Sequence, residues 1–233
     1  MVAETHDNSA FLGAIDSDSI ARRHLLVGTA FLVLAGFLTL FQILKGVFPG
    51  ILDGLGFWSY GRLRQMASAV TVFGWLTPTL IGVAYYLMPR LSGAPLRLTR
   101  FAGFNLPFLA AVVIAGSAAV GMGTGDGFEF FPFPLWADLL LLIALAVPAV
   151  VVSASLRDRS ESAPSAPLLY LSGAVIWLPA IAAVSNLPGQ DPVASSLVSS
   201  FTTSAIHYLW VGAAAIGIVL YLIPKLTGGA LHS

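Results

Sequence analysis

Residues 138–157 read DLLLLIALAVPAVVVSASLR, an acid and a base separated by eighteen uncharged, largely apolar residues. An α-helix rises about 1.5 Å per residue, so a run of about twenty such residues matches the roughly 30 Å hydrocarbon core of a bilayer. The same spacing recurs along the chain. Charge-free gaps separate Arg23 from Lys45, Arg64 from Arg90, Arg100 from Asp126, Glu161 from Asp191 and Asp191 from Lys225. Six gaps predict six transmembrane helices, near 24–47, 66–88, 101–123, 134–156, 167–187 and 199–223. The expected fold is therefore all-α: a six-transmembrane-helix bundle over residues 22–226, with an N-terminal tail over 1–21 and a short C-terminal tail over 227–233.

Composition agrees with this reading. The chain is 57% hydrophobic and 9% charged, with a mean hydropathy of +0.88, whereas a soluble domain carries roughly a quarter charged residues. Eleven basic and eleven acidic side chains give zero formal net charge, which leaves no electrostatic footprint for nucleic acid. Cysteine is absent, so disulfides, thiolate metal sites, iron–sulfur clusters and cysteine nucleophiles are excluded. The bilayer is the partner that the composition identifies.

Basic residues set the expected orientation, because cytoplasmic loops are enriched in lysine and arginine. Arg22, Arg23, Arg90, Arg97, Arg100, Arg157, Arg159 and Lys225 fall on one side, and Lys45, Arg62 and Arg64 on the other. Both termini are accordingly expected in the cytoplasm of a cell-membrane, multi-pass protein. The first nineteen residues hold Glu4, Asp7, Asp16 and Asp18 without a basic start, so they read as a solvated tail and not as a cleavable signal. Phe128, Phe130, Phe131, Phe133 and Trp136 are expected at the outer membrane boundary.

Two segments are near copies. Tyr86-Leu87-Met88-Pro89-Arg90-Leu91-Ser92-Gly93 ends the second helix and Tyr221-Leu222-Ile223-Pro224-Lys225-Leu226-Thr227-Gly228 ends the sixth, with Gly82 matching Gly217. Four helix steps separate them, so the repeat is parallel. Each proline is expected to stop its helix. Small residues at Gly116, Ala118, Ala119, Gly212, Ala213, Ala214 and Gly217 read as helix-packing faces. The Gly121-Met122-Gly123-Thr124-Gly125-Asp126-Gly127 run lacks the strand–turn–helix context of a phosphate loop and reads as a flexible outer loop.

Ionisable groups inside a membrane are costly and so are functional suspects. Of the four histidines, His6, His24, His207 and His232, only His207 lies well within a predicted helix. It stands about 25 Å above the inner end and is the one candidate cofactor-binding residue, with an interfacial, hydrogen-bonded histidine beside Tyr208 and Trp210 as the preferred reading. His24 opens the first helix at the opposite face, so the two imidazoles cannot share a haem within this chain. Asp138 reads as a solvated helix-start acid favoured by the helix dipole. No catalytic residue and no metal ligand set emerges from the residues.

The segment Phe57-Trp58-Ser59-Tyr60-Gly61-Arg62-Leu63-Arg64 resembles the stretch before the second helix in the catalytic subunit of cbb-type cytochrome c oxidases, relatives of nitric oxide reductases in the haem-copper oxidase superfamily. Tyr85-Tyr86 before Pro89, Phe128-Glu129-Phe130, Ser185-Asn186-Leu187 and Tyr221-Leu222-Ile223-Pro224-Lys225 are similar in order and spacing. The resemblance covers roughly residues 20 to 226 and the family's first six helices, the N-terminal half of a subunit I. Its internal repeat fits the pseudo-threefold arcs of that family. It implies a haem b ligated from helix two and copper bound from helix six, with the other histidines in helices seven and ten. Here the helix-two position falls on Ala67 and the copper position on Ser204, so no haem or copper is predicted from this chain's residues. The family is an oxidoreductase family, and whether this chain catalyses a step itself is left open.

The expected function is a cytochrome c oxidase subunit-I-like integral membrane protein, serving as a non-catalytic subunit of a respiratory electron-transfer complex. A cytochrome c or copper-binding subunit is the implied partner. The alternative is the N-terminal half of a split haem-copper oxidase taking part in oxygen or nitric oxide reduction. A small-molecule or ion conduit is the second alternative, motivated by Thr71, Thr77, Pro78 and Thr79 in helix two.

Overall fold

A computed structural model describes residues 2–51, 53–128, 130–160, 164–187 and 191–228, with side chains from residue 16 onward. Among the described residues, six helices are long and apolar enough to cross a membrane. They are α1 (Val2–Val47, with its apolar span at Asp16–Val47), α2 (Tyr60–Ser92), α3 (Thr99–Met122), α4 (Leu135–Arg157), α5 (Ala166–Ser185) and α6 (Pro192–Thr227). No strand occurs among the described residues. Each helix packs against the next in sequence, and α2 also touches α4 and α5. It is the most deeply covered span, whereas α1 and α6 form the exposed flanks.

The helices begin and end differently from the sequence expectation in several places. α1 runs back to Val2, so the acidic stretch continues the helix. α2 starts at Tyr60 and α6 at Pro192, where the Asp191 carboxylate accepts a hydrogen bond from the Ala194 amide at 2.8 Å and caps the first turn. Pro89 and Pro224 do not end their helices. Each lies inside, and the stop comes later, at Gly93 and Gly228. These two glycines take left-handed φ values of 66° and 67° and donate their N–H groups to Pro89 O and Pro224 O, the left-handed cap that glycine adopts without a Cβ penalty.

The sequence repeat is thus a structural repeat. It includes the paired glycines: a Cβ on Gly82 would stand 2.9 Å from His24 Cβ of α1, and one on Gly217 would stand 2.8 Å from Leu171 Cγ of α5. In both copies the glycine lets the preceding helix approach closely. A π-helical turn interrupts each copy as well, at Val70–Leu76 in α2 and Ile206–Gly212 in α6. In α2 the turn ends just before Pro78, which has no N–H to give to the preceding turn. The Thr77 hydroxyl donates to Val72 O at 2.8 Å across the widened turn.

The core lies in two stacked clusters. One centres on Phe73, Phe131, Phe133, Leu141, Leu178 and Trp210, the other on Ile81, Tyr85, Met88, Val151 and Leu168 near the end that carries Arg90 and Arg157. Phe131 and Phe133 are buried at 3% and 0% exposure, so they belong to the core and not to a boundary belt. The reason is Gly116 of α3: its missing side chain leaves room for the Phe133 ring, which a Cβ would meet at 2.7 Å. Phe128 and Trp136 remain exposed. The glycine-rich segment is pinned, with Thr124 bonded through both N–H and hydroxyl to Ala119 O and Asp126 N–H bonded to Pro132 O at 3.2 Å. Glu129, at the centre of the acidic-aromatic motif, lies outside the described residues.

Candidate functional site

Ala67 sits in the first straight part of α2, before the π turn, and is 3% exposed. Ser204 lies in α6, two residues before its π turn, with its side chain exposed. His207 stands within that turn, near the middle of α6, which begins at Pro192. Its Nδ1 lies 2.7 Å from Thr203 O, its ring meets Phe130 edge-on at 5.8 Å between centroids, and it is exposed. Tyr208 beside it is exposed, while Trp210 is buried in the core.

His24 is buried between α1 and α2. Its Nδ1 lies 2.9 Å from Ile20 O and its ring meets Tyr85 edge-on at 5.3 Å. His24 lies near the start of the apolar span of α1, level with Gly82 toward the close of α2, so it and His207 remain apart. His6 and His232 lie outside the described side chains. Among the described residues no three His, Cys, Asp or Glu side chains come together as a group that could hold a metal.

Asp138 departs most from its expected role. It is 2% exposed and not solvated, and its Oδ1 has no hydrogen-bond partner among the described residues. It occupies the face of α4 that also carries buried Leu141 and Leu145, three and seven residues on, which turns it into the bundle.

A polar cleft of about 570 Å³ opens between α2 and α6. Arg64, Gln65 and Ser68 line it from α2, and Ser196, Ser199 and Ser200 from α6. Beside it, in a separate small cavity that shares Phe128 and Ser199, the Ser185 and Thr202 hydroxyls are 2.7 Å apart and join α5 to α6. The lining of the cleft is therefore rich in hydroxyls and includes one guanidinium, that of Arg64. Serines scattered through a hydrophobic stretch gave no sequence signal for this cleft, whose wall also includes Gly127 and Phe128 from the segment between α3 and α4.

Comparison with known proteins bears on the same stretch. The family model described as cytochrome c and quinol oxidase polypeptide I matches residues 19–233. A cytochrome c oxidase subunit 1 homolog of Azorhizobium caulinodans is 27% identical over 235 residues, covering 89% of this chain and 40% of the relative. The chain thus spans about two-fifths of the length of the curated relative that it matches. Six apolar helices agree with that match, and the chain belongs to the cytochrome c and quinol oxidase polypeptide I family.

Proposed function

We propose that this chain is a subunit-I-like component of a respiratory electron-transfer complex in the cell membrane and takes no direct part in oxygen reduction. The single observation that carries the reading is Ala67, buried at the helix-two position where the family resemblance implies a haem ligand. An alanine methyl has no lone pair. Ser204, at the implied copper position, is a neutral hydroxyl where copper favours imidazole or sulfur. His24 and His207 stand too far apart along the bundle to share one haem, so the residues present do not fit either group. The motif resemblance favours the cbb-type oxidase and nitric oxide reductase branch. The distribution of basic residues favours both termini in the cytoplasm. A cytochrome c or copper-binding subunit is the partner this role calls for.

Affinity purification from the native membrane, with identification of every co-purifying polypeptide, tests the reading. Respiratory subunits are expected in fixed proportion to this chain. Recovery of the chain as a lone polypeptide would contradict the assignment.

A second reading, the first half of a split oxidase, is favoured by one observation: α6 is flanked mainly by α5, with hydroxyls and His207 left exposed. Oxygen reduction by the purified assembly that disappears in His207→Ala, with the helical content kept, would place this reading first. For the conduit reading the geometry offers little support, because Thr77 is buried and its hydroxyl is used within α2.

A further inference from the structure

Of the four serines in α4 and α5, three are satisfied within their own helices. The hydroxyls of Ser155, Ser172 and Ser185 donate to Val151 O, Leu168 O and Ile181 O, each four residues back, at 2.8, 2.7 and 2.7 Å. Ser153 lacks this bond, and its hydroxyl has no other partner among the described residues, although it lies inside the membrane span of α4. A hydroxyl in hydrocarbon without a partner is costly, so an acceptor from outside the chain is called for at this depth.

Ser153 lines a groove of about 370 Å³ that runs along α4 and is walled on its other side by Pro179 of α5. Ala146, Ala149 and Val150 line its deeper part, and Arg157 stands at its end. The spacing of these positions keeps them on one helix face, opposite the face that carries buried Leu141, Leu145, Val152 and Ser155. Arg157 lies eleven residues from Ala146, about 16 Å along the helix, so the groove spans about half of the roughly 30 Å hydrocarbon core, one leaflet. The guanidinium of Arg157 is exposed and has no carboxylate within ion-pair distance among the described residues, because the neighbouring Asp158 is taken by Arg97. A cation in the last turn suits the helix dipole, but the dipole accounts for neither the groove nor the hydroxyl beneath it.

We infer that the groove between α4 and α5 binds one anionic phospholipid, with its phosphodiester on Arg157, a glycerol ester carbonyl on the Ser153 hydroxyl and an acyl chain along Val150, Ala149 and Ala146. Charge, hydroxyl and apolar floor follow one another down the groove in the order in which such a lipid carries phosphate, ester and chain. Ser153 lies four residues, or about 6 Å, deeper than Arg157, and a guanidinium presents a planar fork that matches two phosphate oxygens. Free phosphate offers the charge alone, whereas the depth of the hydroxyl and the length of the groove favour the lipid. A zwitterionic lipid carries the same phosphodiester, and the unpaired guanidinium favours a headgroup with net negative charge. Near a membrane surface one basic residue raises the occupancy of anionic lipid roughly fivefold.

The test uses the full chain, reconstituted in vesicles of equal parts phosphatidylglycerol and phosphatidylcholine and then extracted in mild detergent. Native mass spectrometry reads retained lipid and oligomeric state together. Phosphatidylglycerol is expected to be enriched over phosphatidylcholine. Arg157→Gln should lower that enrichment about fivefold, Arg157→Lys should keep it, and Lys225→Gln, a charge loss on a different helix, should leave it unchanged. Ser153→Ala should lower retention of both lipids about threefold, the worth of one hydrogen bond in a membrane, without changing their ratio. Ala149→Leu, which fills the groove, should abolish retention of both. An enrichment unaltered by Arg157→Gln, or lowered equally by Lys225→Gln, would overturn the headgroup site, and full retention in Ser153→Ala or Ala149→Leu would overturn the placement of the ester or the chain. Displacement of the retained lipid by millimolar inorganic phosphate would overturn the lipid assignment. A lipid-free dimer that dissociates in Ala149→Leu would give the groove to a second copy of the chain.

Discussion

At Gly116 a single missing Cβ decides where two aromatic rings go. The Phe133 ring lies against the bare backbone of α3, and Phe131 follows it into the core beside Phe73, at 4.9 Å between centroids. Gly116→Ala puts a methyl 2.7 Å from that ring, and overpacking of this kind costs about 1–3 kcal/mol. The expected outcome is a lower thermal midpoint in detergent, read by circular dichroism, while Gly103→Ala, where a Cβ meets nothing within 4 Å, leaves the midpoint unchanged. Asn105 makes the complementary polar link, its side-chain amide donating to Ala144 O of α4 at 2.9 Å from a buried position. Interhelical hydrogen bonds in membranes contribute about 0.6 kcal/mol on average. Asn105→Ala should therefore destabilise the chain by about 0.5–2 kcal/mol in a reversible unfolding titration, and no change would show that the α3–α4 seam rests on packing alone. The sequence marks Gly116 only as a generic packing position and does not say which ring it admits, and it gives no sign of the Asn105 bond. Asp138 reads as a solvated cap because hydropathy says nothing about which way an acid near a helix start turns.

Among the elements, α2 and α6 test whether the repeat is a physical likeness or only one of letters. Gly93 and Gly228 share the left-handed cap, so alanine at either position pays the backbone cost of about 1–2 kcal/mol. They differ in surroundings: a Cβ on Gly93 would run into the Ser160 hydroxyl, whereas one on Gly228 meets nothing within 4 Å. Gly93→Ala is therefore expected to lower the thermal midpoint more than Gly228→Ala, and equal losses would mean that the Ser160 contact is not made. The π turn of α2 offers a second test. Thr77→Val keeps the shape and removes the hydroxyl bond to Val72 O, which should cost about 1 kcal/mol at this buried position. The Pro-basic-Gly endings and the Gly82–Gly217 match were legible in the sequence and correspond to real caps and close approaches. The π turns were not, since one residue of extra winding leaves no trace in a pattern of apolar residues. Pro89 and Pro224 read as stops in the sequence, but a proline removes one bond in the turn before it and does not forbid the turn after it.

Over the whole molecule, the number and placement of the spans followed from the spacing of charges, which measures the transfer of whole segments into hydrocarbon. Rotation about each helix axis did not follow. Helices apolar on every side carry no phase in their hydropathy, so which flank faces the bundle, and that α1 and α6 are left at the edges, emerges only from packing. The family was legible through ordered short motifs, and the matched family model spans residues 19–233. The central claim about function rests on the side chains at the two positions where that family implies iron and copper ligands. Haem and copper quantified per mole of this chain, after its separation from co-purifying subunits under conditions that keep the helices folded, measure that claim most directly. The proposal predicts that neither group stays with the chain. One haem per chain, retained in the wild type and lost in His207→Ala or His24→Ala, would contradict it.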